Sequence, residues 1–249
     1  MIVCLLDRLY IKMNNRKNNG KNNGKNNGKD NNKTMKSLLI IIAFLLTSCG
    51  VTTFQVYSFN LSEVQKPNLA DSSYGNRIVV TDLGKDSLGR YSYEDRFFEI
   101  TWEPDNQQFN FLLTNKTINP IQITWDNAVY VDYEGKAIRV IHSGVKYINR
   151  YESHPPTTIP GGSTLPDMLI PADNIYYSGD GWDSRQIMPT KNVNAWTRSG
   201  LSKVQAVNSE YLGKHVSVLL PITINGVQND YLFVFNIGQR SVDSGDLYQ

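Results

Sequence analysis

From Phe98 onward the chain alternates apolar and polar residues with a period of two. Phe98, Ile100 and Trp102 fall on one face and Glu99 and Thr101 on the other. Phe109, Phe111 and Leu113 alternate with Asn110 and Leu112; Ile121, Ile123 and Trp125 with Gln122 and Thr124; Val129, Val131 and Tyr133 with Tyr130 and Asp132. Successive side chains of a strand point to opposite faces, so each run predicts a half-buried β-strand. The clearest run is Val216, Val218, Leu220, Ile222 and Ile224. It is followed by Asn225-Gly226, the dipeptide that best tolerates the positive φ angles of a type I′ hairpin turn, and by Tyr231, Phe233, Phe235 and Ile237 on the return. Pro221 lacks an N–H, which predicts that its strand lies at a sheet edge or carries a bulge there. Helical spacing nowhere lasts beyond a turn or two, at most near 196–207. Short strands separated by turn residues predict an all-β, antiparallel β-sandwich.

Two stretches break the alternation. Residues 49–76 are rich in Ser, Thr, Pro and Gly and read as a tether with one early strand at 54–59. Residues 143–200 read as a loop-rich insertion, because the run from His154 through Pro155, Pro156 and Pro160 to Gly162 cannot be helix and is poor strand. The expected organisation is therefore a leader 1–34, a signal 35–48, a tether 49–76, a domain 77–240 with the insertion 143–200, and a tail 241–249.

The leader and signal decide where the protein goes. Residues 17–28 repeat Lys-Asn-Asn-Gly three times, a composition too polar to bury a core. Such a run would suit a basic arm for nucleic acid or acidic lipid, but the residues downstream of it favour a translation start at Met35. Lys36 precedes the nine apolar residues 38–46, and then come Thr47, Ser48 and Cys49. A positive end, a short apolar run and small residues make an export signal. The run is well short of the roughly 20 residues needed to span a bilayer.

Leu46-Thr47-Ser48-Cys49 resembles the bacterial lipobox. That resemblance implies cleavage before Cys49 and a diacylglyceryl group on its sulfur. Gly50 is not the Asp of inner-membrane retention, and no acidic cluster comes after it. An outer-membrane anchor, palmitate-type acyl chains on Cys49 and a periplasmic domain are therefore expected.

Cleavage at that point would change the electrostatics. Residues 1–48 hold nine of the 25 Lys and Arg and two of the 23 Asp and Glu. The remainder carries 16 basic and 21 acidic side chains, a net charge of −5, so the mature part has no basic footprint for nucleic acid. Its 201 residues suffice for a core without staples. The only cysteines are Cys4 and Cys49, so no disulfide can form within the mature chain.

No reaction centre is legible. Gly161-Gly162-Ser163-Thr164-Leu165 lacks the last glycine of a nucleophile elbow. His142, His154 and His215 have no zinc spacing, and His142 reads as a hydrogen-bonding residue at a strand end. Asp173, Asn174, Asp180 and Asp183 could offer oxygens to Ca²⁺, but without EF-hand spacing they read as solvated loop residues. Glu99 with Glu103 does not stand apart from ordinary strand and turn carboxylates. Catalytic, metal and cofactor residues are thus expected to be none. Among the aromatics (Trp125, Tyr130, Tyr133, Tyr147, Tyr151, Tyr176, Tyr177, Trp182, Trp196), half fit core-facing strand positions. Tyr176, Tyr177 and Trp182 lie in a Gly- and Asp-rich stretch and are the candidate partner contacts.

Five segments carry a second resemblance: Thr114-Asn115-Lys116-Thr117, Pro120-Ile121, Trp125-Asp126, His142-Ser143-Gly144-Val145-Lys146-Tyr147, and Pro155-Pro156 with Ile159-Pro160-Gly161-Gly162-Ser163. Together they resemble a group of bacterial, often Bacteroidetes, lipoproteins of uncharacterised function, over residues 95–240. The resemblance implies an immunoglobulin-like sandwich and brings no catalytic residues. Asn115-Lys116-Thr117 also fits a glycosylation acceptor, but reads as a hairpin turn. The function expected is non-enzymatic: a lipid-anchored module that binds or scaffolds a protein or glycan of the envelope. The alternatives are an envelope hydrolase using carboxylates or Ca²⁺ in 143–200, and a fimbrial subunit with an exposed edge awaiting a strand.

Intact mass of the native protein is expected to show a chain beginning at acylated Cys49, and Cys49→Ala should release it from the membrane fraction. A mature protein that retains residues 1–34 would contradict this reading.

Overall fold

The structure, a computed structural model, describes residues 53–67, 77–86, 88–197 and 200–243. The leader, the signal, Cys49, most of the expected tether's flanks and the end of the tail lie outside them. Among the described residues no helix is long and apolar enough to cross a membrane.

The chain is all-β. Its strands are β1 (Thr53–Pro67), β2 (Arg77–Val80), β3 (Gly84–Lys85), β4 (Tyr91–Glu94), β5 (Phe98–Pro104), β6 (Phe109–Asn115), β7 (Ile121–Ile123), β8 (Val129–Val131), β9 (Ala137–His142), β10 (Thr157–Ile159), β11 (Thr164–Pro171), β12 (Ile175–Tyr177), β13 (Trp182–Ser184), β14 (Thr190–Thr197), β15 (Gly200–Val207), β16 (His215–Ile224) and β17 (Val227–Asp243). Thirteen form one antiparallel sheet in the order β2-β1-β17-β16-β8-β9-β11-β6-β5-β4-β3, with β7 between β16 and β10. β12–β13 and β14–β15 are separate hairpins.

One strand turns the sheet back over itself. β11 pairs with β6 from Thr164 to Leu169 and with β9 from Leu169 to Pro171. The two halves of the sheet then face one another as the layers of a sandwich. Trp102 of β5 lies 5.0 Å from Phe233 and 5.4 Å from Phe235 of β17, ring centre to ring centre, and Phe109 of β6 lies 5.0 Å from Phe235. Except in β8, the predicted apolar rows are the buried ones, from Phe98, Ile100 and Trp102 through to Tyr231, Phe233, Phe235 and Ile237.

The Asn225-Gly226 turn has both φ angles positive, at 51° and 80°, as a type I′ hairpin requires. Pro221 departs from expectation. β16 is an interior strand, and its register with β17 runs one-to-one through Pro221. The Pro221 carbonyl accepts from Thr124 N, 3.0 Å away. In an antiparallel strand the N–H and C=O of one residue point the same way, so the missing N–H also faces that side. There β8 pairs only with 217–219 and β7 with 222–223. Proline fills the gap between two short neighbours, where no ladder bond is required.

β1 extends well past the expected early strand and is paired with β17 from Thr53↔Asp243 to Gln65↔Leu232. Much of the expected tether is thus part of the sheet, and β17 continues past 240. Ser62 is an extra residue in this pairing. The bulge resets the parity, so Tyr57, Phe59 and Leu61 before it and Val64 after it all point inward.

β8 is turned over relative to the sequence reading: Tyr130 is buried while Val129 and Val131 are half-buried. Cross-strand partners share a face, and Tyr130 pairs with the fully buried Val218. Trp196 and Thr197 end β14 and residues 200–207 form its partner β15, so this stretch carries strand and not helix in its described residues. The insertion 143–200 keeps long loops but also supplies β10 and β11 to the main sheet.

The Asn115 turn is not a hairpin, since β6 and β7 are not paired with each other. Asn115 is fully buried, and its amide donates to the carbonyls of Asn119, Ile159 and Pro160 at 2.8, 3.0 and 3.2 Å. Its Oδ1 accepts from Thr117 N and Oγ1 at 2.9 and 2.8 Å, and its backbone pairs with Gly162 and Ser163. Gly161 passes so near the Ile118 carbonyl that a Cβ would stand 2.4 Å from its oxygen. Asn115→Ala removes the side-chain donor to the buried Ile159 carbonyl and the acceptor of Thr117, while the exposed Asn119 and Pro160 carbonyls keep Thr117 and Ser163 as donors. We expect a loss of about 3 kcal/mol, or roughly 6–12 °C in Tm for a domain of this size, read by thermal unfolding.

Candidate functional site

The β12–β13 hairpin stands on a small apolar cluster of its own. Ile175, at the start of β12, packs with Ile141, Ile170 and Ala172, and Tyr147, Val145 and Met168 close over them. This cluster is distinct from the main core. At the hairpin's tip Ser178 N donates to the Gly181 carbonyl at 2.8 Å, and Gly179 takes a φ of 98°, a conformation open to glycine.

Strand alternation divides the three predicted contact residues. Tyr177 and Trp182 are cross-strand partners on one face, with ring centres 5.6 Å apart in a T-shaped contact. The Arg150 guanidinium lies 4.8 Å above Trp182 and 4.7 Å above Tyr151, bridging the two rings. Arg150 also donates to the Tyr147 carbonyl at 3.2 Å. Tyr151, Tyr177 and Trp182 remain 56%, 60% and 38% exposed, beside the exposed Ile148. They form a continuous aromatic and cationic surface.

Tyr176 points the other way. Its hydroxyl donates to Asp183 at 3.3 Å and Arg185 lies 4.9 Å over its ring. It lines a cleft of about 660 Å³ with Tyr130, Asp132, Lys136, Asp173 and Gln107. Asp173 joins the two sides: it accepts from Lys136 at 2.7 Å and from the Tyr151 hydroxyl at 3.2 Å. The Lys136 hydrogen bond holds the Asp173 carboxyl below its ordinary range and raises Lys136 in turn.

Behind this surface the structure gathers residues that look scattered in sequence. The His142 ring lies flat on Trp125, 4.1 Å away at 4°, and His154 meets His142 edge-on at 5.7 Å. His142 does end β9 as expected, but it is held by stacking. Its Nδ1 makes no hydrogen bond of regular geometry and lies 3.5 Å from Asp167 Oδ2. The Trp125 indole donates to Thr157 Oγ1 at 2.7 Å. Asp126 accepts from Arg139, from the Ser153 hydroxyl and from His154 N. The Ser153 hydrogen bond is the largest of the effects that lower its carboxyl. His215 is exposed on β16 and takes no part.

The other chemical candidates do not assemble. Among the described residues no three His, Cys, Asp or Glu side chains come together as metal ligands. Asp183 is occupied by Tyr176 and by Ser184 N, and Asp180 is exposed in the hairpin tip. Glu99 is paired across the sheet with Glu94 and Thr114, and Glu103 with Asn110.

Comparison with protein-family models, with characterised proteins and with solved structures finds no match for this chain. Its role is therefore read from the site alone.

Ile175→Ala is expected to loosen the hairpin, since removing a buried Ile side chain costs about 2–5 kcal/mol. Tyr177→Ala, at an exposed position, should stay within about 0.5 kcal/mol. Hydrogen exchange of residues 175–184 and thermal unfolding distinguish the two.

Proposed function

We propose that this chain is a lipid-anchored envelope protein whose β-sandwich is a non-enzymatic binding or scaffold module. In this reading Cys49 carries the acyl chains, the domain sits on the periplasmic side of an outer membrane, and the sandwich belongs to the immunoglobulin-like lipoproteins that its sequence resembles. Several acyl chains, at about 0.8 kcal/mol per buried CH₂, would hold the anchor stably where a single chain would not.

The observation that carries the binding role is the exposed cluster of Tyr177, Trp182, Arg150 and Tyr151 on loops held by a separate small core. Large rings and arginine dominate interface energetics because they bury much area for little lost freedom. A rigid sandwich presenting such loops is a common arrangement for recognition. Tyr177 offers the freest ring. Trp182 is partly covered by Arg150, which fixes the platform before a partner arrives. A protein or glycan of the envelope is the partner class this surface suits.

Trp182→Ala combined with Tyr177→Ala should abolish capture of envelope components by a domain beginning at residue 50. The melting temperature should move by only a few degrees, the change expected for about 1 kcal/mol. Quantitative pull-down against the unmodified domain, with a melting curve for each, is the measurement. Undiminished capture would refute the assignment, and an unfolded double variant would show the rings to be a structural cap.

A further inference from the structure

We propose that residues 143–154 form an acid-released latch on the aromatic surface: proton uptake by buried His154 expels the imidazole and frees Arg150 and Tyr151 from Trp182 and Asp173. The proposal depends on the binding role above only for its consequence, a surface that loses its partner as pH falls.

His154 is 5% exposed, and neither ring nitrogen makes a regular hydrogen bond. A neutral imidazole tolerates this position, whereas an imidazolium would hold two charged donors with only the Asn149 backbone to offset them. The groups facing it offer little relief. From β9 come His142, 5.7 Å away ring to ring, and the Arg139 guanidinium, both unfavourable to a further positive charge. From the turn at Trp125–Asn127 comes Asp126, the one nearby carboxylate, already bound by Arg139, Ser153 and the His154 N–H. β11 contributes Asp167, which lies beside His142. The turn at Tyr147–Asn149 contributes only the backbone of Asn149.

Burial depresses the His154 pKa below its ordinary value of 6.5, and His142 and Arg139 push the same way; the Asn149 backbone and Asp126 oppose them. Linkage gives the sign. A base whose folded pKa is lowered contributes stability that is complete above its unfolded pKa and is lost as pH falls from there toward the folded pKa.

The mechanical link is short. His154 N and Ser153 Oγ fasten this end of the segment to Asp126, and Ser143 N fastens the other to Asp167 at 2.8 Å. Between them lie Tyr147, which caps the small apolar cluster, and Arg150 and Tyr151, which brace Trp182 and Asp173. Expelling His154 removes the Asp126 attachment and leaves that stretch held at one end. Asp126 is held below the ordinary carboxylate range and stays ionised through mildly acid pH, so it does not itself open the latch.

Hydrogen exchange with mass-spectrometric readout, corrected for intrinsic rates, tests this at pH 7.5, 6.5, 5.5 and 5.0. Protection of 143–154 should be flat above pH 6.5 and fall by up to tenfold per unit below it, while β16 keeps its protection. His154→Phe, which fills the space with a ring that cannot titrate, should remove the fall. Histidine NMR titration of the unmodified protein is the second arm and needs no variant. Unchanged protection at pH 5.0, a fall that persists in His154→Phe, or a His154 midpoint at or above 6.5 would overturn the latch. None of these readouts involves a partner. Undiminished capture by the Tyr177 and Trp182 double variant would remove the binding role and leave the latch standing.

Discussion

The aromatic interlock between Trp102 and Phe233/Phe235 is the contact on which the rest of the domain depends. It joins strands β5 and β17, more than a hundred residues apart, across the middle of the sandwich. Phe109 and Phe111 complete the cluster, at 6.5 and 5.1 Å from Trp102. Tilted and edge-on pairs of this kind add about 0.5–1.5 kcal/mol each beyond the area they bury. The Trp102 indole N–H has no acceptor, so the ring is held by packing alone. Each half of the sheet has one oily face, and neither could remain exposed to water. The bulge at Ser62 and the pairing of Tyr130 with Val218 keep the inward rows pointed at this core.

A sheet folded over itself needs corners, and here two polar groups secure them. Asn115 ties the end of β6 to the 116–120 connection and to the Pro160 turn before β11. Asp126 ties Trp125 to β9 and to the segment ahead of β10. Asn115 gathers with the Ile159–Ser163 turn, and Trp125-Asp126 with His142 and His154. Asn115, buried and fully hydrogen-bonded, dictates geometry more strictly than apolar contacts do, whereas Asp126 makes its ties at the surface. Motifs of this kind therefore report on how corners are built, and they are silent about chemistry.

The candidate surface is energetically apart from this frame. The β12–β13 hairpin and the 143–154 segment rest on four buried side chains, where the main core has more than thirty. Such a subregion can open or adapt without unfolding the sandwich, because local stability follows local burial. That separation lets a rigid sheet hold a surface able to change with a partner or with pH.

Period-two alternation determined the all-β class, most of the inward rows and the Asn-Gly hairpin, because those follow from backbone geometry within a few residues. The exposure of Tyr177 and Trp182 was equally legible, because their surroundings gave them no core to join. Tertiary structure decided what depends on distant partners. Tyr130 faces inward because Val218 does, and the apparent tether from Thr53 became a strand because β17 was there to pair with it. Tyr176 was separated from Tyr177 by a strand of only three residues, too short to announce itself. His142 and His154 became neighbours because Trp125 and Asp126 lie beneath both, and no spacing along the chain encodes a contact made through a third element.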